Sequence, residues 1–353
     1  MKRTGYMESP LHPGRCPSWL FRRMKKLGGL IGEAIIEEHG EQELLKRIAD
    51  PLFFQALGCV LGFDWHSSGL TTTVCGALSE GFKEQGLSVR VLGGKGLRSR
   101  KTPEQIKKLS TEWDLDPLPL EKASRMSAKV DNSLVQDGHQ LYHHSFFLAE
   151  TGNWAVVQQG MNQELRTARR YHWLGKKVDS FVVEPQTGVV GKPEENVLDL
   201  TARKGEENRR ACIDLVKEAD WNLTNIKMPS RHEILPSDLT EADKKFFEKV
   251  RKLEPSDYEE LVAVRGMGPK KLRSLALIAG LVYGEKPEWK DPVKFSFAHG
   301  GKDRIPYPVN RKMYDENILF LEETLDKVKG HEKKKALKKL AENSFITKES
   351  KLS

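Results

Sequence analysis

The chain has 353 residues, of which 38% are hydrophobic and 31% are charged, and its 58 Lys and Arg against 50 Asp and Glu give a formal net charge of +8. This composition excludes a collagen-like chain, a disulfide-stapled miniprotein and a wholly disordered chain, and the length favours two or three domains over one. No run of eighteen apolar residues occurs, and no apolar signal segment follows the basic N-terminus. We therefore expect an intracellular, cytoplasmic protein with no membrane partner.

Positive charge is concentrated in three parts of the sequence. Residues 1–30 and residues 90–108 each hold seven Lys and Arg against one acidic residue. A third cluster, residues 265–273, holds four basic residues and no acid. Such clusters favour a polyanionic partner, because a bound phosphate backbone releases its counterions.

In chain order, the spacing of apolar residues first predicts helices. One covers residues 18–50, a second begins at Asp50-Pro51 and runs to residue 61, and a third resumes at 71–82 after the polar turn 64–69. Residues 88–92 alternate like a short strand and enter a glycine loop at 93–96. Further helices are predicted near 103–113 and 119–135.

The middle of the chain carries strand patterns. Residues 141–149 and 154–159 predict a β-hairpin around Gly152-Asn153, and residues 181–184 and 188–190 predict a second one. Helical patterns return from about residue 200, and a linker near 226–237 is the preferred boundary. The predicted fold is therefore α+β: a helical module with a small antiparallel sheet at 1–228, an all-helical module at 237–330, and a frayed basic tail at 331–353.

The strongest motif lies in the third basic cluster. Ser256-Asp-Tyr-Glu259 fits a capping box that starts one helix, and Pro269 suits the first position of the next. A helix followed by Gly-Met-Gly and a second helix is the helix-hairpin-helix pattern. Its glycines let a phosphate approach the main-chain amides at the N-terminus of the second helix. The alternative is a turn used only for packing or protein contacts. The residues predicted to bind DNA are Arg265, Gly266, Met267, Gly268, Lys270, Lys271 and Arg273.

Several other stretches carry a family resemblance. They are Lys2-Arg-Thr-Gly5, Leu11-His-Pro-Gly-Arg15, Asp64-Trp-His-Ser-Ser-Gly69, Ala128-Lys-Val-Asp131, Val157-Gln-Gln-Gly-Met-Asn162 and Ala168-Arg-Arg-Tyr-His-Trp173. Together they resemble the prokaryotic domain of unknown function 763 family, over residues 2 to about 325. The resemblance implies a C-terminal helix-hairpin-helix and a prokaryotic DNA-handling protein, and it implies no reaction.

The polar residues of these stretches are candidates for chemistry. A strand alternates its side chains, so His143 and His144, like Gln158 and Gln159, are expected to point to opposite faces. One hypothesis is a DNA nuclease acting in repair or processing, in which carboxylates hold Mg²⁺ or Mn²⁺ and basic groups offset developing charge. Buried polar groups that merely satisfy the backbone are the alternative. The candidate catalytic residues are Asp64, His66, Lys129, Asp131, His143, Glu150, Gln158, Arg170 and His172.

Two other functions stay open at this point. Gly266-Met-Gly-Pro-Lys270 is similar to the hairpin of DNA glycosylases that carry a catalytic lysine, but Tyr307-Pro-Val-Asn-Arg311 lacks the aspartate that those enzymes need downstream. A non-catalytic DNA-binding or scaffold protein is the other alternative. No zinc motif is present, because the four cysteines, at positions 16, 59, 75 and 212, include no Cys-x-x-Cys pair.

Overall fold

A five-stranded antiparallel sheet lies between two layers of helices and organises the molecule. The computed structural model describes residue 11 and residues 16–63, 68–218 and 240–293. Asp64 and His66, the linker near 226–237, residues 307–311 and the tail at 331–353 lie outside these described residues. Within them the fold is mixed helix and sheet, as predicted.

The strand order in the sheet is β1-β3-β4-β5-β6, and β2 pairs with β7 in a separate two-stranded ribbon. The strands are β1 (Val89–Lys95), β2 (Val135–Gln136), β3 (Gln140–Ala149), β4 (Trp154–Asn162), β5 (Thr167–Leu174), β6 (Gly188–Val190) and β7 (Leu198–Asp199). The helices are α1 (Ser18–His39), α2 (Glu41–Ile48), α3 (Pro51–Val60), α4 (Ser68–Glu84), α5 (Leu97–Arg100), α6 (Thr102–Glu112), α7 (Pro117–Ser133), α8 (Glu206–Glu218), α9 (Glu241–Lys252), α10 (Tyr258–Ala263) and α11 (Pro269–Val282).

Both faces of the sheet are buried, and alternate residues along a strand pack in two different hydrophobic cores. Phe147 and Val157 pack with apolar residues of α1 to α4, whereas Phe146, Val156 and Trp173 pack with α6, α7 and the C-terminal helices. This follows from the two-residue period of a strand, which sends successive side chains to opposite faces. Because both faces are covered, β3 and β4 are almost continuously buried.

The first predicted hairpin is confirmed and the second is wrong. β3 and β4 pair in antiparallel register around Gly152, whose φ of +77° suits glycine in this turn. Residues 181–184 form no strand, and β6 instead pairs with β5, with Arg170 opposite Val190. The sequence pattern did not predict β5, because two adjacent arginines, Arg169 and Arg170, are not typical of a buried strand.

Two N-terminal predictions also change in detail. The helix predicted over 18–50 is two helices, because Gly40 takes a φ of +81° between α1 and α2. The loop predicted at 93–96 starts later, since β1 continues to Lys95 and pairs there with His143. A Cβ on Gly93 would lie 2.3 Å from the carbonyl oxygen of His144, so close strand packing explains that glycine.

The helices beyond the predicted boundary share a core with those before it. One hydrophobic cluster contains Val130 of α7 and Val216 of α8 together with Phe247 of α9 and Leu275 of α11. The Nδ2 atom of Asn208 in α8 also donates a hydrogen bond of 2.8 Å to the carbonyl oxygen of Ala276. Among the described helices, none is long and apolar enough to cross a membrane.

Candidate functional site

The segment of residues 264–268, which we call the α10–α11 turn, follows a capped helix. The side chain of Asp257 accepts a hydrogen bond of 2.8 Å from the amide of Glu260, so Asp257 is the N-cap of α10. The capping box predicted at Ser256 and Glu259 is therefore wrong by one residue. Ser256 still contributes, because its amide donates to the Glu260 carboxylate at 2.8 Å. The carboxylate of Glu260, at the third helical position, thus fixes the backbone that precedes the helix.

The α10–α11 turn has a clamped inner side and an open outer side. Met267 is 1% exposed and anchors the turn in the core, whereas Gly266 is exposed and has a φ of +93°. A Cβ on Gly266 would lie 2.9 Å from the ring of Phe246, so glycine fits this position for two reasons. A Cβ on Gly268 would meet nothing within 4 Å. The outer side is therefore open to a ligand at Gly268.

The N-terminus of α11 adjoins this open side. Gly268 is the N-cap, no side chain caps the helix, and Pro269 occupies the first turn. The first amides of a helix have no acceptor within the helix, and its dipole favours an anion there. Arg265 and Lys270 are exposed beside these amides. The turn thus combines open backbone with positive charge.

The other two basic residues of this motif, Lys271 and Arg273, are less exposed than Arg265 and Lys270. Lys271 lies 3.0 Å from an Asp243 carboxylate oxygen and 4.9 Å from the centre of the Phe246 ring. Burial raises the pKa of Asp243, but hydrogen bonds from Thr240 and Lys271 outweigh it and leave that pKa below its usual value. Arg273 is half-buried and its Nε has no hydrogen-bond partner.

Lys129 of α7 and Gln136 of β2 contact the α10–α11 turn and the residue that follows it. The Nζ atom of Lys129 donates a hydrogen bond of 2.7 Å to the carbonyl oxygen of Val264, and Gln136 Nε2 donates one of 2.8 Å to the carbonyl oxygen of Pro269. Burial lowers the pKa of Lys129 to about 8. This candidate catalytic lysine is therefore in contact with the turn.

Asp131 faces the other way and lies in the core. It is fully buried and accepts hydrogen bonds from Trp173 Nε1 at 2.8 Å, from Gln186 Nε2 at 2.7 Å and from Gln158 Nε2. Burial raises the pKa of Asp131 to about 7, against these hydrogen bonds. Lys129 and Asp131 are two residues apart on α7, but Lys129 contacts the α10–α11 turn and Asp131 lies in the core.

Three candidates on the sheet, Arg170, His172 and His143, fall on its other face. Arg170 Nε donates to His172 Nε2 at 2.9 Å, and His143 Nε2 lies 2.9 Å from the hydroxyl of Ser145. Burial lowers the pKa of Arg170 to about 10 and that of His143 to about 3, and it takes the pKa of His172 well below its usual value. These residues share the layer between the sheet and the N-terminal helices.

The predicted alternation along the hairpin is confirmed. His144 contacts Ser124 of α7, on the face opposite to His143, and Gln158 donates to the carbonyl oxygen of Ser127 in α7. Gln159 instead donates to the carbonyl oxygen of Ser68 at the start of α4. The polar candidates are therefore divided between the two faces.

Glu150 is remote from all of them. It is exposed in the turn after β3, seven residues from His143, which is roughly 23 Å along an extended strand. Asp131 is enclosed in the core by Gln158, Gln186 and Trp173, whereas Glu150 is exposed at the turn, so the two do not share one environment. Within residues 16–63, 68–218 and 240–293, no three His, Cys, Asp or Glu side chains lie together as a metal site would require.

A cavity of about 510 Å³ opens between α7, the start of β3 and the beginning of α6. Its basic lining residues are Arg100, Arg125 and Lys129, and Ser124 and His144 also line it. Lys129 joins this cavity to the α10–α11 turn, because the same side chain lines the one and contacts the other. The second basic cluster and the turn therefore contribute to neighbouring surfaces.

One further charged group is an ion-pair network. Arg169 is 1% exposed at its side chain and lies 2.9 Å from Asp137, and it also pairs with both carboxylate oxygens of Asp291. The same carboxylate accepts from the amides of Glu194 and Val293. Asp291 is thus held within the fold by Arg169 and by two backbone amides.

A family model described as a protein of unknown function (DUF763) matches residues 5–309 of the chain. The protein belongs to the DUF763 family. The match covers the sheet, the buried polar groups and the α10–α11 turn of this DUF763 protein. Comparisons with curated proteins and with solved structures gave no match.

Sequence reasoning missed two groups in this DUF763 protein. The ion pair of Arg169 with Asp137 and Asp291 joins residues far apart in the chain, and no local spacing signals it. The contact of Ser124 with His144 was missed because Ser124 lies in a helix pattern that gives serine no special role. One signal was present for His144: side chains alternate between the two faces of a strand, so His144 was expected to lie on the face opposite to His143.

Proposed function

We propose that this DUF763 protein binds DNA without sequence preference, through sugar-phosphate contacts at the α10–α11 turn. The open outer side of Gly268, at an N-terminus of α11 that no side chain caps, carries this proposal. An anion placed there accepts hydrogen bonds from helix amides and is favoured by the helix dipole. Contacts to phosphates carry no direct sequence information, so binding is independent of sequence.

Exposed charge near the turn supports the proposal. Arg265 and Lys270 are exposed, and Lys271, which is half-buried, lies 3.0 Å from a carboxylate oxygen of Asp243. Arg100 and Arg125, at the neighbouring cavity, extend the positive surface away from the turn. We propose that the DNA backbone follows this surface from the turn toward α6.

The positions of the other candidates favour binding over metal-dependent cleavage. Asp131 is enclosed by neutral hydrogen-bond donors, and Arg170 and His172 lie on the opposite face of the sheet. A nuclease using Mg²⁺ or Mn²⁺ and a role in DNA repair stay predictions. Incubation of labelled DNA with the protein and either metal, or with EDTA, tests cleavage directly.

The test of binding uses the full chain and a short labelled duplex, with affinity measured by fluorescence anisotropy over a series of salt concentrations. Arg265→Glu combined with Lys270→Glu should weaken binding by roughly tenfold or more at low salt, because two cations become anions beside phosphates. The slope of log affinity against log salt should fall by about two. Unchanged affinity and slope would refute the assignment.

A charge-matched control uses Lys176→Glu with Lys177→Glu. These exposed lysines lie in the 3₁₀ turn after β5. The control makes the same change in net charge, so a general loss of attraction affects both variants equally. Only a site at the α10–α11 turn makes the first pair much more damaging.

A further inference from the structure

A chain of hydrogen bonds runs from the wall of the cavity into the core. Ser124 Oγ lies 2.9 Å from His144 Nε2, and His144 Nδ1 lies 2.7 Å from Gln158 Oε1. Gln158 Nε2 in turn donates to Asp131. Ser124 and His144 line the cavity, and Gln158 and Asp131 are fully buried behind them.

The directions of these hydrogen bonds follow from one backbone group. Gln158 Nε2 lies 2.9 Å from the carbonyl oxygen of Ser127, which can only accept, so this atom is the amide nitrogen. Gln158 Oε1 therefore faces His144 Nδ1 as an acceptor, and Nδ1 carries the ring proton. His144 Nε2 is then the unprotonated nitrogen, and the hydroxyl of Ser124 donates to it.

This geometry leaves the Ser124 oxygen ready to react. Its proton points at His144, so its lone pairs are not used in that hydrogen bond, and Ser124, which is 2% exposed, lies in the inner wall of the cavity. A hydroxyl bonded to an imidazole whose other nitrogen is fixed by a third group is the general arrangement of an activated nucleophile. Burial lowers the pKa of His144 to about 4, so the ring is neutral at neutral pH and its Nε2 accepts the hydrogen bond from the hydroxyl.

The cavity also indicates the substrate. Arg100, Arg125 and Lys129 line it, and no acidic residue does. Cations at a reacting centre stabilise the charge that develops on phosphoryl oxygens. Phosphate esters therefore match both the nucleophile and its surroundings.

We infer that Ser124 is a nucleophile toward phosphate esters and that His144 is its general base. As Ser124 Oγ bonds to phosphorus, its proton moves to His144 Nε2, and the bond to the leaving oxygen breaks. The leaving oxygen takes that proton. Water then attacks the phosphoserine and gives a proton to His144, which returns it to Ser124 Oγ as the serine-phosphorus bond breaks. The net reaction consumes one water and needs no metal or redox partner.

The first test uses the unmodified full-length protein and a fluorophosphonate probe. Attack by Ser124 breaks the phosphorus-fluorine bond and leaves a stable adduct on Oγ, and peptide mass spectrometry locates it. Modification at Ser124 is the expected result. Absence of any adduct, or an adduct only on other residues, overturns the inference without reference to any variant.

Variants then separate the nucleophile from its surroundings. Ser124→Ala and His144→Asn should each lower the labelling rate at least tenfold, whereas Ser133→Ala, at another serine lining the same cavity, should not. Melting curves show whether each variant is folded. Equal labelling in a folded His144→Asn variant would remove the general base from the mechanism.

The substrate class is tested in EDTA with p-nitrophenyl phosphate and bis(p-nitrophenyl) phosphate. If p-nitrophenyl phosphate releases nitrophenolate and the release depends on Ser124, the substrates are phosphate monoesters. If bis(p-nitrophenyl) phosphate does so, the substrates are diesters like those of DNA. Release from neither overturns the substrate assignment. The inference does not rest on DNA binding, because the probe and both nitrophenyl esters are tested without DNA.

Discussion

Lys129 and Val264 are 135 residues apart in the chain, and the ammonium group of the first donates a hydrogen bond of 2.7 Å to the carbonyl oxygen of the second. Val264 is the first residue of the α10–α11 turn, and Lys129 lies one turn from the end of α7. The proposed DNA contact is therefore positioned by a helix of the sheet-containing part of the fold.

Lys129→Met should weaken DNA binding although Lys129 is not among the residues proposed to contact the DNA backbone at the turn. The substitution keeps the apolar stem and removes the donor, so the carbonyl oxygen of Val264 loses its partner. We expect a loss of about 1 kcal/mol in the free energy of unfolding and a severalfold loss of DNA affinity. Urea denaturation and fluorescence anisotropy measure the two effects.

The control for this prediction is Lys122→Met on the same helix. Lys122 pairs with Glu259 at 2.7 Å, but it is largely exposed, and such pairs contribute little. Its removal should change neither quantity appreciably. Equal effects of the two variants would show that Lys129 has no particular role in positioning the turn.

Gly268→Ser should separate stability from binding. Serine is a good N-cap, and the open space around Gly268 accommodates its side chain. Its hydroxyl would accept from the amides of the first turn of α11 and compete there with a phosphate. We expect an unchanged or higher melting temperature together with weaker DNA binding, measured on the same preparation. Tighter or equal binding would contradict the proposed contact.

Asp131 should make stability depend on pH in an unusual direction. Burial raises its pKa to about 7, above the usual value for a carboxyl group. Between about pH 4 and pH 7 the folded protein therefore binds more protons than the unfolded chain, and stability is lost as pH rises. From about pH 5.5 to about pH 8 the loss should be about 2 kcal/mol.

The reference for that measurement is Asp131→Asn, which cannot titrate. Its free energy of unfolding is expected to be lower, since an amide cannot accept from the donors of Gln158, Gln186 and Trp173 at once. The stability advantage of the natural protein over this variant should shrink as pH rises. A constant difference across the range would show that Asp131 is ionised throughout.

Asp291→Ala should be strongly destabilising. It leaves the buried Arg169 with less compensation for its charge, and breaking a buried ion pair costs about 3 kcal/mol or more. Glu288→Ala is the control, because Glu288 contacts Asp199 through its backbone carbonyl. Urea denaturation of both variants measures the difference. Similar, small losses would mean that Asp137 alone is sufficient for Arg169.

Local patterns in the sequence predicted the elements that depend on local chemistry. The β3–β4 hairpin followed from alternation and a glycine turn, and the start of α3 from Asp50-Pro51, whose carboxylate does accept from the amide of Leu52. The cap of α10 was misplaced because Ser256 and Asp257 are both good caps and adjacent. Only the geometry of the chain chooses between them.

The candidate site was harder to predict because its contacts are long-range. Adjacent charged residues such as Arg169 and Arg170 are not typical of a buried strand, yet partners from distant segments make their burial in β5 possible. The same applies to His144, whose partner Ser124 lies on α7. Residue type and spacing identified the polar stretches, but not which side chains meet.

The hydrophobic cluster that joins α7 and α8 to α9, α10 and α11 has a consequence for how the protein should be handled. A fragment beginning at residue 240 would leave Phe247, Leu261 and Leu275 without the side chains of α7 and α8 that shield them from water. Such a fragment is expected to aggregate, and the intact protein to show a single calorimetric melting peak across these helices. DNA binding and probe labelling should therefore be measured on the full-length protein and not on a fragment of it.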